Sequence, residues 1–517
     1  MEEKISTKPD GRLSDCKLPS GNPPKSHSGE HDEVPIEEID RKIRNIRAVL
    51  SEHKVKVADI QAASGPSVTT YKVYPAPGVS CAKIKRLQDE IELFLDAGGV
   101  RVVTLSDAVG IEVANEHPSV VPLKSLLEDA AFRESKAALP VAVGRDTEGK
   151  PCVVDLAKAP HILMAGETKQ GKTTAVHSLI LSLLYSRTPE DVKFVFIDPK
   201  DYELKVYRTL NEEYIAALPD VEKKTVLTTA EDAEKVLHSL CLELEYRYCA
   251  LASDNVNNIK AYNAKAEEGK KMPYIVVVID EYGDYLGLHG RDRKSMEIRS
   301  DIMSHIVDLA QKGRAAGIHL VITTNRISSK VTPGILKSNF PTRMAFRVTS
   351  EYDSYTILDH PGAERLTGNG DMILAQGAEM IRIQGAYADA GDIDAVIRAI
   401  GSRQDNGKRH DTPYCLPSVE DAGAEGFGSG GPIDMHNIDD HFEEAARMVV
   451  TTQIGSTSDL QRKLGMGYAK AGRVMDQLEA AGIVGPQEGA KPRKVLVRTI
   501  DELEKKLKAY NDPESVI

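Results

Sequence analysis

Apolar residues along this chain fall into two rhythms, and the change from one to the other divides it into parts. Between Ile36 and Ser51 they recur at helical spacing with charge between them, which predicts an exposed amphipathic helix. Short alternating runs follow at Val68 to Val73, Val100 to Leu105 and Gly110 to Val113, around a helical stretch from about Cys81 to Leu95. Alternation at period two marks half-buried strands, so residues 35–139 read as a small α+β unit. From 140 to 402 the rhythm changes to buried apolar runs, each followed by a helical pattern. The runs are Ile162 to Ala165, Phe194 to Ile197, Ile275 to Ile279 and Leu320 to Thr323. Strands alternating with helices predict an α/β domain with a parallel sheet covered on both faces. Residues 403–437 lose all periodicity and include GFGSGGP, which predicts a flexible linker. Residues 438–500 are patterned again: a helix, a short helix from Ser456 to Leu464, a longer one from Tyr468 to Ala481, then a two-stranded candidate. The polar leader (1–34) is expected to be disordered, and 501–517 is expected to be a C-terminal tail.

Composition changes this picture little, but charge and cysteine use narrow it. No window approaches the run of about 18 apolar residues that a membrane helix needs, and the leader has no signal-peptide core, so the expected location is cytoplasmic. Six cysteines (Cys16, Cys81, Cys152, Cys241, Cys249 and Cys415) form no CxxC pair and read as reduced thiols. The net charge of −12 gives no support for wholesale nucleic-acid binding and does not exclude it, because binding depends on where the positive charge lies. One region opposes that net charge: between Leu460 and Arg498 eight Lys/Arg face three acids, a local excess of five positive charges. These are Arg462, Lys463, Lys470, Arg473, Lys491, Arg493, Lys494 and Arg498, and such a patch is what phosphate contact requires.

The strongest chemical signal is HILMAGETKQGKTTAV. An apolar strand runs into Gly166, Glu167, Thr168, Lys169, Gln170, Gly171, Lys172 and Thr173, and a helix starts with Thr174. This spacing lets backbone N–H groups wrap the phosphates of ATP. Lys172 then reaches the β and γ oxygens, and the Thr173 hydroxyl ligates Mg²⁺. About a hundred residues later the run Tyr274 to Ile279 ends in Asp280 and Glu281. A carboxylate at the carboxyl end of a strand beside such a loop is placed to hold Mg²⁺, which is the role expected of Asp280. Glu281 is then expected to polarise the attacking water as general base. A further strand, Ile318 to Thr324, ends in Asn325, a candidate sensor of the γ-phosphate.

With these residues in place the chain resembles a known family. PHILMAGETKQGKTT, LSLLYSRTPEDVKFVFIDPK, YIVVVIDEYGD, QKGRAAGIHLVITTNR and PTRMAFRV…ILDHPGAERLTGNGDM look like the motor of the FtsK/SpoIIIE double-stranded DNA translocases. The resemblance implies an alpha subdomain at 35–139, a RecA-like beta subdomain at 140–402 and a winged-helix gamma domain at 438–500. It implies a homo-hexameric ring around DNA, with Arg314 of one subunit reaching the ATP of its neighbour as an arginine finger. It also places Arg326 and Lys337 on a pore loop that touches the DNA backbone. In the gamma domain, Lys470 and Arg473 are the expected base or phosphate contacts, and Lys491, Arg493 and Lys494 the wing contacts.

The chain departs from the family pattern at four points. Lys169 and Gln170 replace a common Gly-Ser, and Asn325 replaces a common Gln. No stretch matches the usual membrane anchor, which leaves open a soluble relative or one whose membrane part was removed. Glu351 and Tyr355 stand where a second pore loop usually carries Lys and Arg. The function expected is an ATP- and Mg²⁺-dependent DNA translocase serving a chromosome or mobile element. Two rivals are a secretion- or conjugation-type ATPase with protein or nucleoprotein cargo, and a DNA-binding regulator switched by ATP. A recombinase or other protein partner stays open.

Overall fold

A computed structural model describes residues 34–218, 224–267, 270–286, 293–401, 413–419, 439, 441–464, 468–486 and 492–511. The leader up to residue 33 and most of the expected linker lie outside the described residues.

The amphipathic start is the helix Ile36–Glu52, which buries Ile46, Val49 and Leu50. It packs on a four-stranded antiparallel sheet made of β1 (Val57–Ser64), β2 (Val68–Pro75), β3 (Arg101–Thr104) and β4 (Val109–Ala114), in the order β1-β2-β4-β3. The pattern did not foretell β1, because this edge strand buries only Ile60 and shows no apolar alternation. The expected helix from Cys81 to Leu95 is two, Cys81–Lys85 and Gln88–Leu95. They break at Leu87, which leaves helical geometry with φ −90° and ψ 12°.

The central sheet has eleven strands. In chain order they are β5 (Val121–Pro122), β6 (Pro140–Asp146), β7 (Pro151–Asp155), β8 (His161–Ala165) and β9 (Val192–Ile197). After the short β10 (Ala216–Ala217), which is outside this sheet, come β11 (Val226–Leu227), β12 (Tyr274–Ile279), β13 (Ile318–Thr324), β14 (Thr342–Phe346), β15 (Asp371–Gln376) and β16 (Glu379–Tyr387). Their order is β11-β9-β12-β13-β8-β14-β15-β16-β6-β7, with β5 beside β16. The first six are parallel, and they include the four runs expected from the sequence. From β14 onward the path is antiparallel, so the expected parallel sheet is one half of a mixed one. Of these outer strands, β14 and β16 are interrupted by Arg343 and Arg382 and so lack the solid apolar run that reveals a buried strand, whereas β15 does carry one in MILA.

Successive side chains of one strand serve opposite faces. In β12, Val276 and Val278 join a core beneath the helices Lys172–Ser186 and Ala390–Gly401. Ile275, Val277 and Ile279 join the other core, beneath Ala230–Ser253 and Arg293–Ala316. A strand apolar on every residue is thus explained by layers on both sides. The architecture is a RecA-like α/β domain.

Two expectations near the C-terminus are corrected. Part of the supposed linker is docked: β17 (Tyr414–Cys415) pairs with β10, and Leu416 is buried in the second core. Tyr414 donates to Glu243 (2.6 Å) and Ser239 to the carbonyl of Pro417 (2.5 Å), which holds the segment against the helix Ala230–Ser253. The supposed tail contains the helix Ile500–Asn511, whose Leu503 and Leu507 complete the last core. That core gathers Phe442, Val449, Leu460, Val474, Leu478 and Ile483 from the helices Phe442–Thr452, Thr457–Leu464 and Tyr468–Ala480 and the segment after them. The bridge Val484–Val495 stands where two strands were expected, and a second, Gly455–Arg493, ties the segment before the short helix to it, giving a winged helix.

Candidate active site

The loop after β8 is shaped by close backbone approach. Gly166 has φ +156° and Gly171 φ +112°; a Cβ would sit 2.7 Å from Phe346 Cβ at the first and 2.6 Å from Gly370 Cα at the second. Only glycine fits either position. The loop is pinned by backbone bonds, Glu167 N–H to Arg347 O (3.0 Å) and Gly370 N–H to Gln170 O (2.9 Å). The unusual Lys169 takes φ +64°, and the Gln170 side chain lies over Gly368, where a Cβ would come within 2.5 Å of its Oε1. Helix Lys172–Ser186 then begins with free N–H groups facing the cleft, a natural anion site. The buried Lys172 ammonium donates to the carbonyls of Gly166 (2.8 Å) and Glu167 (2.7 Å). Burial holds its pKa below the usual lysine range, against the pull of Glu281 and Asp280.

Across the cleft, β12 ends in Asp280 and Glu281. Thr323, from the neighbouring β13, donates to Asp280 Oδ1 (2.6 Å) and accepts from Glu281 N–H (2.9 Å). Glu281 takes the left-handed φ of +46°, rare for a residue with a side chain and frequent where function holds it. Its Oε2 accepts from the backbone N–H of Asn325 (3.1 Å), and its Oε1 lies 3.7 Å from the Lys200 ammonium. Asp280 is pushed up to about 6, chiefly by burial, with Asp198, Glu281 and Glu203 adding to the push. Burial also raises Glu203, which hydrogen-bonds the Thr173 side chain. A hydroxyl and several crowded carboxylates form a hard-oxygen donor set that suits Mg²⁺.

Thr168, Lys169, Gly171, Lys172, Thr173 and Thr174 line one cleft of about 730 Å³ together with Asp280 and Glu281. Gly166, Glu167 and Gln170 are outside the lining and shape the loop instead. The structure brings Asn325 to Glu281 through its backbone, and its side chain is outside the lining as well. Arg314 is exposed on the last turn of helix Arg293–Ala316, just before β13 begins. Because β13 runs parallel to β8, that is the end of the sheet opposite the loop after β8.

The sequence reading missed three parts of the cleft. Glu203 and Lys200 follow β9, and Asp198, the residue just after that strand, caps their loop by accepting from Lys200, Tyr202 and Leu204 N–H. The apolar run before Asp198 mirrors the run before Asp280 and could have signalled it. The segment Thr367–Gly370 forms a second wall, and Ser67, Pro118, Ser119 and Val120 bring the N-terminal unit to the cleft. Nothing local marks those last four.

The expected DNA contacts are placed unevenly. Arg326 pairs with Asp284 (2.9 Å), and Lys337 shares Asp359 with Arg343 (2.6 Å each). Glu351, Tyr352 and Tyr355 are exposed on the helix Glu351–Leu358. Arg493 departs from expectation: nearly buried, it donates to Glu479 (2.6 Å) and Met475 O (3.2 Å), so it braces the wing and is not offered to phosphate. Lys463 and Lys494 are exposed. The side chains of Arg462, Lys470 and Arg473, Lys491 itself and the turn at Gly465 to Gly467 lie outside the described residues. No described helix is long and apolar enough to cross a membrane.

Comparison with known proteins adds the following. The model of the FtsK/SpoIIIE family matches residues 122–329, that of the FtsK alpha domain 18–115 and that of the FtsK gamma domain 436–498. The chain is 39% identical over 490 residues to the DNA translocase FtsK of Chlorobaculum tepidum, covering 93% of this chain and 59% of that protein. It is 36% identical to the DNA translocase FtsK of Haemophilus influenzae, covering 94% of this chain and 92% of that protein. The chain thus spans little more than half the length of the first relative. Among solved structures, the pCW3 conjugation coupling protein TcpA, determined with ATPgS, matches with a TM-score of 0.50 at 22% identity. That match covers 70% of this chain and 99% of TcpA, and shows a shared fold.

Proposed function

The chain belongs to the FtsK/SpoIIIE family, and from that premise we propose that it hydrolyses ATP to move double-stranded DNA. The observation that carries this reading is the convergence of Lys172, Thr173, Asp280 and a conformationally held Glu281 on one cleft. In the proposed cycle the loop N–H groups from Gly166 to Thr174 hold the phosphates, and Lys172 exchanges its two carbonyl partners for phosphate oxygens. The Thr173 hydroxyl and the Asp280 carboxylate would hold Mg²⁺, which when bound would neutralise phosphate charge. Glu281, kept at one angle by Thr323 and Asn325, takes a proton from the attacking water.

Arg314 is too far round the sheet to serve its own cleft, and its exposure suits service to a neighbour in a homo-hexameric ring. Arg326 and Lys337 would face the DNA backbone, each already steered by an acidic partner. The exposed Glu351, Tyr352 and Tyr355 would give the second pore loop an apolar, weakly acidic contact in place of a basic one. Lys463 and Lys494, with Arg462, Lys470 and Arg473, would give the winged helix its grip on phosphate.

The test is the ATPase rate with and without linear double-stranded DNA, alongside Lys172→Ala. Strong stimulation that vanishes in the variant is expected. Hydrolysis indifferent to DNA would transfer the motor to a protein or nucleoprotein cargo, as in secretion and conjugation ATPases. In the same assay, Arg314→Ala and Glu281→Gln chains should each be inactive alone and active when mixed, because some interfaces then hold both intact residues. A mixture as dead as its components would remove the neighbour's arginine from the mechanism.

A further inference from the structure

The helices Ala230–Ser253 and Arg293–Ala316 lie side by side over the second core, on the opposite face of the sheet from helix Lys172–Ser186. Where they meet, Glu234 and His238 stand one turn apart on the first, and His305 faces them from the second. His305 Nε2 is 3.5 Å from Glu234 Oε1, and His238 Nδ1 is 4.0 Å from the same oxygen. The two imidazoles stack at 5.0 Å with planes 11° apart. One donor atom from each of the three residues lies within 4.8 Å of the others.

We propose that Glu234, His238 and His305 form a binding site for a divalent transition-metal ion, Zn²⁺ or a close analogue, that cross-links these two helices. The spacing is what draws attention. These contacts are too long for good hydrogen bonds. They approach the separation of about 3.3 Å between ligands that bond lengths of 2.0–2.1 Å impose in a tetrahedron. Two donors at i and i+4 on one helix face, completed from a second helix, are a recurrent way of building such a site. Two imidazoles and one carboxylate favour a transition metal over Mg²⁺ or Ca²⁺, and leave a fourth position for water.

The surroundings fit the same reading. Cys241, two turns along from Glu234, places its Sγ 3.7 Å from His305 Nδ1 and 3.9 Å from the His305 carbonyl oxygen. With the thiol hydrogen on that carbonyl, the sulfur accepts from Nδ1–H, and the Nε2 lone pair is left pointing at Glu234. Metal-bound histidines are commonly fixed this way through their other nitrogen. Asp301 adds negative charge nearby. The nucleotide cleft uses none of these residues.

The experiment uses the full chain, freed of metal by a chelator and titrated with Co²⁺ while its visible absorption is followed. One equivalent should bind with a band typical of nitrogen and oxygen ligands, and Zn²⁺ should displace it. His238→Ala and His305→Ala should each weaken binding by more than about 100-fold, and Cys241→Ala by about 10- to 100-fold. Thr173→Ala should leave the band intact, which separates this ion from any held at the nucleotide cleft. Metal-free thermal unfolding of each variant checks that it folds, and Glu234→Gln, on the rim, carries the test if His305→Ala does not. Absence of stoichiometric Co²⁺ binding, or binding indifferent to all of these substitutions, overturns the proposal.

Discussion

Asp280 and Glu281 adjoin in sequence yet are held by different means. Asp280 is buried just after β12, where among the described residues Thr323 donates to it, beside three other carboxylates. Its rise from 3.8 to about 6 means that keeping it ionised at pH 7 costs on the order of 3 kcal/mol in the absence of a cation. Asp280→Asn should therefore raise the stability of the nucleotide-free protein by about 1–3 kcal/mol while abolishing Mg²⁺-dependent hydrolysis. Urea unfolding and an ATPase assay on one preparation check both. A variant that lost activity and stability together would mean that the carboxylate is a structural anchor.

At the scale of elements, the antiparallel hairpin β15–β16 links the N-terminal unit to the cleft. Buried Arg382, on β16, makes two bonds to Asp371 (2.7 and 3.0 Å) and one to Glu112 of β4 (3.1 Å), which Arg101 also approaches (3.4 Å). Asp371 in turn accepts from Thr367 N–H and Oγ1, at the start of the cleft wall Thr367–Gly370. Arg382→Met leaves two carboxylates buried without their main partner, a loss of about 3–5 kcal/mol. It should also weaken ATP binding by slackening that wall. Calorimetry and nucleotide titration check the two effects, and unaltered nucleotide affinity would confine Arg382 to stability. In the winged helix, Arg493→Ala should cost about 1–3 kcal/mol of that domain's stability, since it strands Glu479 and a carbonyl. Lys494→Ala should leave stability unchanged and weaken DNA binding. DNA titrations and thermal unfolding of both variants separate bracing from contact, and the reverse pattern would restore Arg493 as a phosphate ligand.

For the whole molecule, acid is expected to weaken the fold through three buried histidines. His161, His177 and His319 are buried, and burial lowers them to about 3, 4 and 4. The unfolded chain then binds more protons than the folded one between those values and 6.5. Their contribution is complete above about pH 6.5 and is lost as pH falls, at up to about 1.4 kcal/mol per histidine per unit. Asp280 works in the opposite direction between about 4 and 6 and offsets part of this. The urea midpoint should fall clearly from pH 7 to pH 5; a flat profile would mean that these rings meet water.

Much of the cleft was legible beforehand because its chemistry is local. Gly166, Gly171, Lys172 and Thr173 stand within one strand–loop–helix, and Asp280 ends an apolar run whose burial on both faces follows from its composition. Spacing along the backbone alone sets those groups at working distance, so the sequence by itself determined the phosphate loop, the carboxylate pair and the parallel half of the sheet. The hairpins, the Arg382 node, Glu203 beside Thr173 and the cluster of Glu234, His238 and His305 were decided only by tertiary structure. Each joins residues from separate segments, and the period in the chain marks which face of an element is buried but not which other face it meets. The same reason converts Arg493 from an expected phosphate contact into a brace: its charge is written in the sequence, but its partner Glu479 is chosen by the fold.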